Sequence, residues 1–185
     1  MPGPNPNGMV VLFIATSLDG YIARSNGDID WLSVVQTPNE DYGYNEFIKT
    51  VGTVILGRKT YEKVLSFGIG FPHRGRTCYV LSRTPRAADD NVRFYDGDLA
   101  DLVASIRKTS TGNIFVDGGA EVVHEFMRKD LIDRFVISVL PILLGEGVPL
   151  FRPGWNELPL VLRSSRAFSS GLVQNTYDRQ PGRQR

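Results

Sequence analysis

Val54-Ile55-Leu56 is a short apolar, β-like run that passes straight into Gly57-Arg58-Lys59-Thr60-Tyr61-Glu62, which reads as the opening of a helix. A glycine lets the backbone turn at the strand end, and the first amides of a helix have no intrahelical partners. Arg58, Lys59 and the Thr60 hydroxyl converge on that end, so the junction is suited to a phosphate. The same residues also fit a plain strand-to-helix turn with a solvated basic edge. Neither common nucleotide fingerprint is present: a P-loop needs a second glycine before Lys-Ser/Thr, and a dinucleotide fold needs G-x-G-x-x-G after its first strand.

A second junction of this kind lies further along, at Phe115-Val116-Asp117-Gly118-Gly119-Ala120-Glu121. Its two glycines allow close backbone approach, and the new helix offers another set of free amides to a diphosphate. A tight turn with a helix cap would use the same residues. Together the two junctions favour a dinucleotide. A different chemistry is offered by Asp30-Trp31, in Gly27-Asp28-Ile29-Asp30-Trp31-Leu32, where a flexible turn meets an aromatic wall for a planar substrate. A carboxyl desolvated against Trp31 would have its pKa raised and could act as an acid, a role water could also fill. Trp31 is equally suited to the core.

Composition narrows the classes. The 185 residues suffice for one domain with a sizeable core, and 42% hydrophobic with 22% charged residues is ordinary for a globular protein. A net charge of +1, with the basic residues spread along the chain, gives no bulk field for nucleic acid or an anionic membrane. The lone cysteine, Cys78, excludes an internal disulfide, and its place in Cys78-Tyr79-Val80-Leu81 marks a buried strand thiol rather than a nucleophile. His73 and His124 with that one cysteine do not make a usual structural zinc site, so no metal is expected. His124 falls in a helical stretch and His73 in a Pro/Gly loop, and both read as structural or solvent-facing. The start lacks the regions of a signal peptide and no apolar run reaches transmembrane length, which predicts a cytoplasmic protein. Residues 1–8 read as a disordered leader, 9–178 as a single domain and 179–185 as a flexible tail.

These residues must be positioned by strands alternating with helices. Met9 to Thr16 is a continuous apolar run, too short for a helix and suited to a strand covered on both faces. Turns flank a brief Tyr21-Ile22-Ala23, and a helix is expected from Glu40 to Thr50. Strands follow at 52–56, 76–82 and 92–95, with the helix opened by Gly57 between the first two. Leu99, Leu102, Val103 and Ile106 recur at helical spacing and make 98–109 amphipathic. A strand at 113–116 leads into a helix whose apolar face carries Val122, Val123, Phe126 and Met127; another strand spans 134–140 and stops at Pro141. Residues 158–168 and 172–177 read as an antiparallel hairpin at the sheet edge. The pattern predicts an α/β fold with a mainly parallel sheet.

Taken in order, Ile14-Ala15-Thr16-Ser17-Leu18-Asp19-Gly20-Tyr21-Ile22-Ala23, Leu56 to Glu62, Leu81-Ser82-Arg83 and Val116 to Glu121 resemble the dihydrofolate reductase-like fold. Within it they are similar to the reductase half of the bifunctional deaminase-reductase of riboflavin biosynthesis. The likeness covers roughly Val10 to Tyr177, and Leu140-Pro141-Ile142-Leu143-Leu144-Gly145-Glu146-Gly147-Val148-Pro149-Leu150-Phe151 looks like the riboflavin branch rather than true dihydrofolate reductases. The resemblance implies three layers, with helices on both faces of a mainly parallel mixed sheet and an antiparallel C-terminal edge. It also implies an NADPH-dependent reductase acting on a small heterocyclic or sugar-bearing substrate, and a homodimer paired through the C-terminal strands. Apolar strands near Val136-Ile137 and Leu160-Val161-Leu162 are compatible with that pairing.

By the same resemblance, Ala15 and Ile22 meet the nicotinamide carboxamide through backbone groups. Gly57, Arg58, Lys59 and Thr60 match the positions at the pyrophosphate and adenosine phosphate. Leu81, Ser82 and Arg83 match those around the adenosine ribose, where paired guanidinium groups favour the 2′-phosphate of NADPH. Gly118, Gly119, Ala120 and Glu121 match the amides over the diphosphate. Asp117, which would repel those phosphates if it faced them, is placed on the substrate side or at the helix cap. Asp41 lies at about the position of the pterin-binding carboxylate, though Glu40 or Asp41 could equally stabilise a helix start.

The deaminase signature, H-x-E with P-C-x-x-C, is absent. The expectation is a stand-alone reductase domain, with 5-amino-6-(5-phosphoribosylamino)uracil as a candidate substrate. Dihydrofolate reduction and a non-catalytic NADPH-sensing module are the alternatives.

Overall fold

A computed structural model describes residues 8–68, 71–84 and 91–180. Six parallel strands form most of one sheet: β1 (Val10–Ser17), β3 (Val51–Gly57), β4 (Thr77–Leu81), β5 (Val92–Tyr95), β6 (Asn113–Gly118) and β7 (Arg134–Leu140). Two antiparallel strands, β9 (Leu160–Ala167) and β10 (Val173–Arg179), close its edge, giving the order β5-β4-β3-β6-β1-β7-β10-β9. A separate two-stranded pairing joins β2 (Tyr21–Ala23) to β8 (Val148–Pro149).

The central strands carry apolar residues on both faces because both faces are covered. On one side Leu12, Ile55, Ile114 and Val116 pack against α3 (Leu99–Thr109) and α4 (Ala120–Arg128), where Val123 and Phe126 are fully buried. On the other, Val54, Leu56, Cys78 and Phe115 meet Tyr44, Phe47 and Ile48 of α1 (Tyr44–Lys49) and Tyr61 and Val64 of α2 (Arg58–Ser66). This is the three-layer arrangement expected. Burying each large apolar side chain contributes about 1.5–3 kcal/mol, so the two clusters hold the strand ends in fixed register.

Three local expectations are corrected. The helix expected from Glu40 starts only at Tyr44, because Tyr42 (φ 56°) and Gly43 (φ 82°) adopt left-handed conformations that an α-helix cannot include. The Asp30-Trp31 turn is a six-residue 3-10 helix, Asp30–Val35, whose Trp31 and Val35 pack on Leu140 and Leu172. Val136 is buried within the sheet, so only Leu160 and Leu162 are exposed among the strand residues considered for pairing. The C-terminal strand also continues to Arg179, one residue into the expected tail, while residues 1–7 and 181–185 lie outside the described residues. Among the described residues no helix is long and apolar enough to cross a membrane.

Candidate functional site

The parallel strands deliver their C-terminal ends to one rim of the sheet. There β3 ends at Gly57 and its neighbour β6 at Gly118, and the chain leaves them in opposite directions, into α2 on one face and α4 on the other. A crevice outside two such strands is where ligands bind in open α/β sheets. Two helix openings flank it.

Those openings lack side-chain caps. Asp98 caps α3 by accepting from the amides of Ala100 and Asp101, whereas Gly57 and Gly119 supply no capping side chain to α2 and α4. First-turn amides thus remain available to an anion. Gly119 has φ 65°, and a Cβ there would stand 2.9 Å from Thr60 Oγ1; a Cβ on Gly57 would stand 3.0 Å from Val122 Cγ2. The glycines therefore let the two helix openings approach each other closely. Lys59 Nζ and Glu121 Oε1, 3.5 Å apart and well exposed, link the two openings by an ion pair of small energetic weight.

The guanidinium groups of Arg58, on α2, and Arg83, just past the end of β4, make no hydrogen bond or ion pair among the described residues. Ser82 is held in place: its amide donates to the Tyr95 carbonyl and its hydroxyl to the Thr84 carbonyl. The predicted phosphate residues Gly57 to Thr60, the Leu81-Ser82-Arg83 segment and Gly118 to Glu121 thus share one rim.

A cavity of about 540 Å³ lies beside the end of β1 on the α1 face, a size suited to a small-molecule site. Phe13, Ala15, Leu32, Val35, Ser138 and Leu140 form much of its wall, with Asp30, Glu40 and Asp41 also lining it. Ile22 sits in β2, partly buried against the α3–α4 cluster, and does not line the cavity.

Both candidate acids are held by neighbouring groups of the chain, and Asp41 takes the helix-start role that the sequence left open. Asp30 accepts from Arg24 Nε at 2.7 Å and is exposed, and the guanidinium holds its carboxyl below the usual range instead of burial raising it. Asp41 accepts from the amides of Asn45 and Gly43, both at 2.9 Å, and these lower its pKa while fastening the start of α1. Trp31 is 3% exposed and belongs to the core, behind the cavity wall rather than on it.

Asp117 does not cap α4. Its Oδ2 lies 2.9 Å from Nε2 of His73, which is buried under Phe71 and Phe115. Sequence reasoning missed this pair: the two residues stand 44 positions apart, and nothing in a Pro/Gly loop announces such a contact. Ser138 was also missed, although a lone polar residue in the apolar run Val136-Ile137-Ser138-Val139 was the available signal. It is buried and accepts from Gln174 Nε2 at 3.0 Å. Cys78 is fully buried and its thiol is pushed up to about 12, chiefly by that burial, consistent with an inert strand thiol.

A three-layer sheet with a two-helix crevice at its carboxyl rim and an apolar cavity alongside defines a dihydrofolate reductase-like α/β domain. The chain belongs to the RibD C-terminal domain family, whose profile matches residues 8–174, and so to a riboflavin-pathway type of reductase family. It is 42% identical to the uncharacterized protein YwjB of Bacillus subtilis over 163 residues, which cover 88% of this chain and 93% of that one. A solved riboflavin biosynthesis protein from Shewanella sp. PV-4, itself assigned provisionally, shares 37% identity with a TM-score of 0.87 over 94% of this chain and 99% of its own. A dihydrofolate reductase from Enterococcus faecalis, solved with NADP(H), matches at 20% identity and a TM-score of 0.69 over 95% of this chain and 98% of its own, and shares the fold.

Proposed function

We propose that the protein is an NADPH-dependent reductase of the riboflavin-biosynthesis type, with 5-amino-6-(5-phosphoribosylamino)uracil as its candidate substrate. The observation that carries this reading is the meeting, at the carboxyl ends of β3 and β6, of two helix openings without side-chain caps, brought close by Gly57 and Gly119.

In this reading the amides of α2 and α4 hold the diphosphate, with Thr60, Gly118 and Ala120 completing the cradle. Arg58 and Lys59 serve the phosphates. Arg83, beside Ser82, grips the 2′-phosphate, because a guanidinium offers two parallel donors to a phosphate. Ala15 and Ile22 orient the nicotinamide through their backbone groups. NADPH so bound supplies a hydride from the nicotinamide C4.

The substrate ring takes the cavity walled by Phe13, Leu32 and Leu140, within reach of the end of β1. Asp30 and Asp41 stay ionised at its rim and accept hydrogen bonds, so the proton that accompanies the hydride comes from water. Asp117 stands on the substrate side. A second copy of the chain pairs along β9, whose Leu160 and Leu162 are exposed.

The test follows absorbance at 340 nm with NADPH, offering 5-amino-6-(5-phosphoribosylamino)uracil and dihydrofolate separately. Oxidation with the uracil derivative alone is expected. Turnover of dihydrofolate alone would move the reading to dihydrofolate reduction, and cofactor binding without turnover of either would leave a sensing module.

A further inference from the structure

His73 is 1% exposed, yet its loop position gives it no place in the apolar pattern of the chain. Its carbonyl is fixed by Asn91 Nδ2 at 3.0 Å and by the Arg76 amide at 3.1 Å, and Phe71 and Phe115 meet its ring edge-on. The ring therefore has one orientation. Nε2 stands 2.9 Å from Asp117 Oδ2, so the ring tautomer with its hydrogen on Nε2 donates to that oxygen. Nδ1 is buried with no partner among the described residues. A side chain kept only to fill space would do so better without an orphaned nitrogen, so the contact with Asp117 is what this histidine supplies.

Asp117 in turn is placed by its partner. His73 packs on Phe115, whose cluster on the α1 side of the sheet also holds Phe13, so the carboxylate lies on that face. Phe13 lines the cavity; Asp117 is on the same face but outside its wall. Tyr44 on α1 and Cys78 on β4 belong to that cluster, and both are pushed up chiefly by burial and further by the charge of Asp117. Among the described residues His73 is its sole hydrogen-bond partner, leaving Oδ1 unclaimed, and the side chain keeps 23% of its surface accessible.

We propose that His73 is a positioning residue: by tying Oδ2 it turns Oδ1 of Asp117 toward the cavity side as an acceptor for N–H donors of a planar ring. This rests on the substrate-side role given to Asp117 above. A ring bearing amino groups fits this acceptor. A ring offering only carbonyl oxygens there would face lone pair against lone pair.

The probe is 5,6-diaminouracil, titrated calorimetrically into wild type and the His73→Gln, His73→Leu and Asp117→Asn variants without cofactor, with NADPH affinity measured in parallel. Gln can set an amide N–H near the place of Nε2, and Leu fills the site without a donor. Asn still accepts from His73 but turns an NH₂ toward the ring. Wild type and His73→Gln should bind diaminouracil within threefold of each other, and His73→Leu and Asp117→Asn at least tenfold more weakly, with any NADPH affinity unchanged within threefold across the set. A merely structural histidine would weaken both ligands together and would not be rescued by Gln. The proposal is overturned if wild type binds no diaminouracil, if His73→Leu binds as wild type does, or if Asp117→Asn keeps full affinity in a folded protein. Loss of folding in His73→Leu leaves Gln and Asn to decide. Absence of NADPH binding with the diaminouracil pattern intact would sink the reductase reading and leave the His73 assignment standing.

Discussion

Gly119 concentrates the demands of the site in one residue. Its φ of 65°, and the 2.9 Å that would separate a Cβ from Thr60 Oγ1, leave no room for a side chain. Gly119→Ala should therefore lose about 1–3 kcal/mol of stability, the usual cost of a strained backbone conformation, and bind NADPH at least tenfold more weakly. Chemical denaturation and a fluorescence titration check the two parts, and an alanine variant with wild-type values in both would contradict the cradle. Cys78 makes the opposite kind of prediction. Fully buried, with its thiol pushed up to about 12, it should resist a thiol reagent at pH 8 in the native protein and react once the chain is unfolded. The sequence is readable where structure is local: the strand-to-helix turns at Gly57 and Gly119 and the buried strand thiol of Cys78 follow from their neighbours. His73 and Asp117 do not, because their meeting depends on how a loop before β4 packs over β6.

At the scale of elements, charge pairs fasten the C-terminal edge. Asp178 on β10 accepts from Arg134 of β7 at 2.6 Å and Arg163 of β9 at 2.8 Å, so one carboxylate joins three neighbouring strands. These guanidinium groups, Arg134 foremost, hold its carboxyl below the usual aspartate range. A depressed carboxylate stabilises the fold above its unfolded pKa of about 3.9, and that contribution is lost as pH falls from there through the lower folded value. Asp178→Asn should accordingly be less stable than wild type at pH 7, with the two stability curves converging in acid. Curves that stay parallel to pH 2 would contradict the assignment. Periodicity alone makes most elements legible: it predicts β7 over 134–140, where the strand is found, and α3 starts within one residue of its expected place. What periodicity cannot see are the elements set by tertiary contact. The 3-10 helix at Asp30–Val35 exists because Trp31 and Val35 find Leu140 and Leu172, and β8 because Pro149 meets Tyr21 across a long separation. The late start of α1 follows from the left-handed Tyr42, a conformation no propensity scale assigns to tyrosine.

For the whole molecule, topology does the assembling. Inserting β6 between β1 and β3 brings segments from four parts of the chain to one rim, with the cavity beside the end of β1. The rim with its two helix openings is foreseeable, since its motifs combine strand, glycine and helix; the cavity side is less so, being walled by residues of ordinary core type such as Leu32 and Leu140. The exposed outer strand carries a prediction of its own. Leu160 and Leu162 are 41% and 54% exposed on an unpaired edge, so Leu162→Lys should convert a dimer into a monomer by light scattering without lowering cofactor affinity. NADPH binding at the β3–β6 rim is tested most directly by a fluorescence titration of the purified protein with NADPH and NADH, repeated on Arg83→Ser. Saturable one-to-one binding of NADPH, at least tenfold tighter than NADH and with that preference lost in Arg83→Ser, is the predicted result; no saturable binding of either nucleotide up to millimolar concentration would contradict the account.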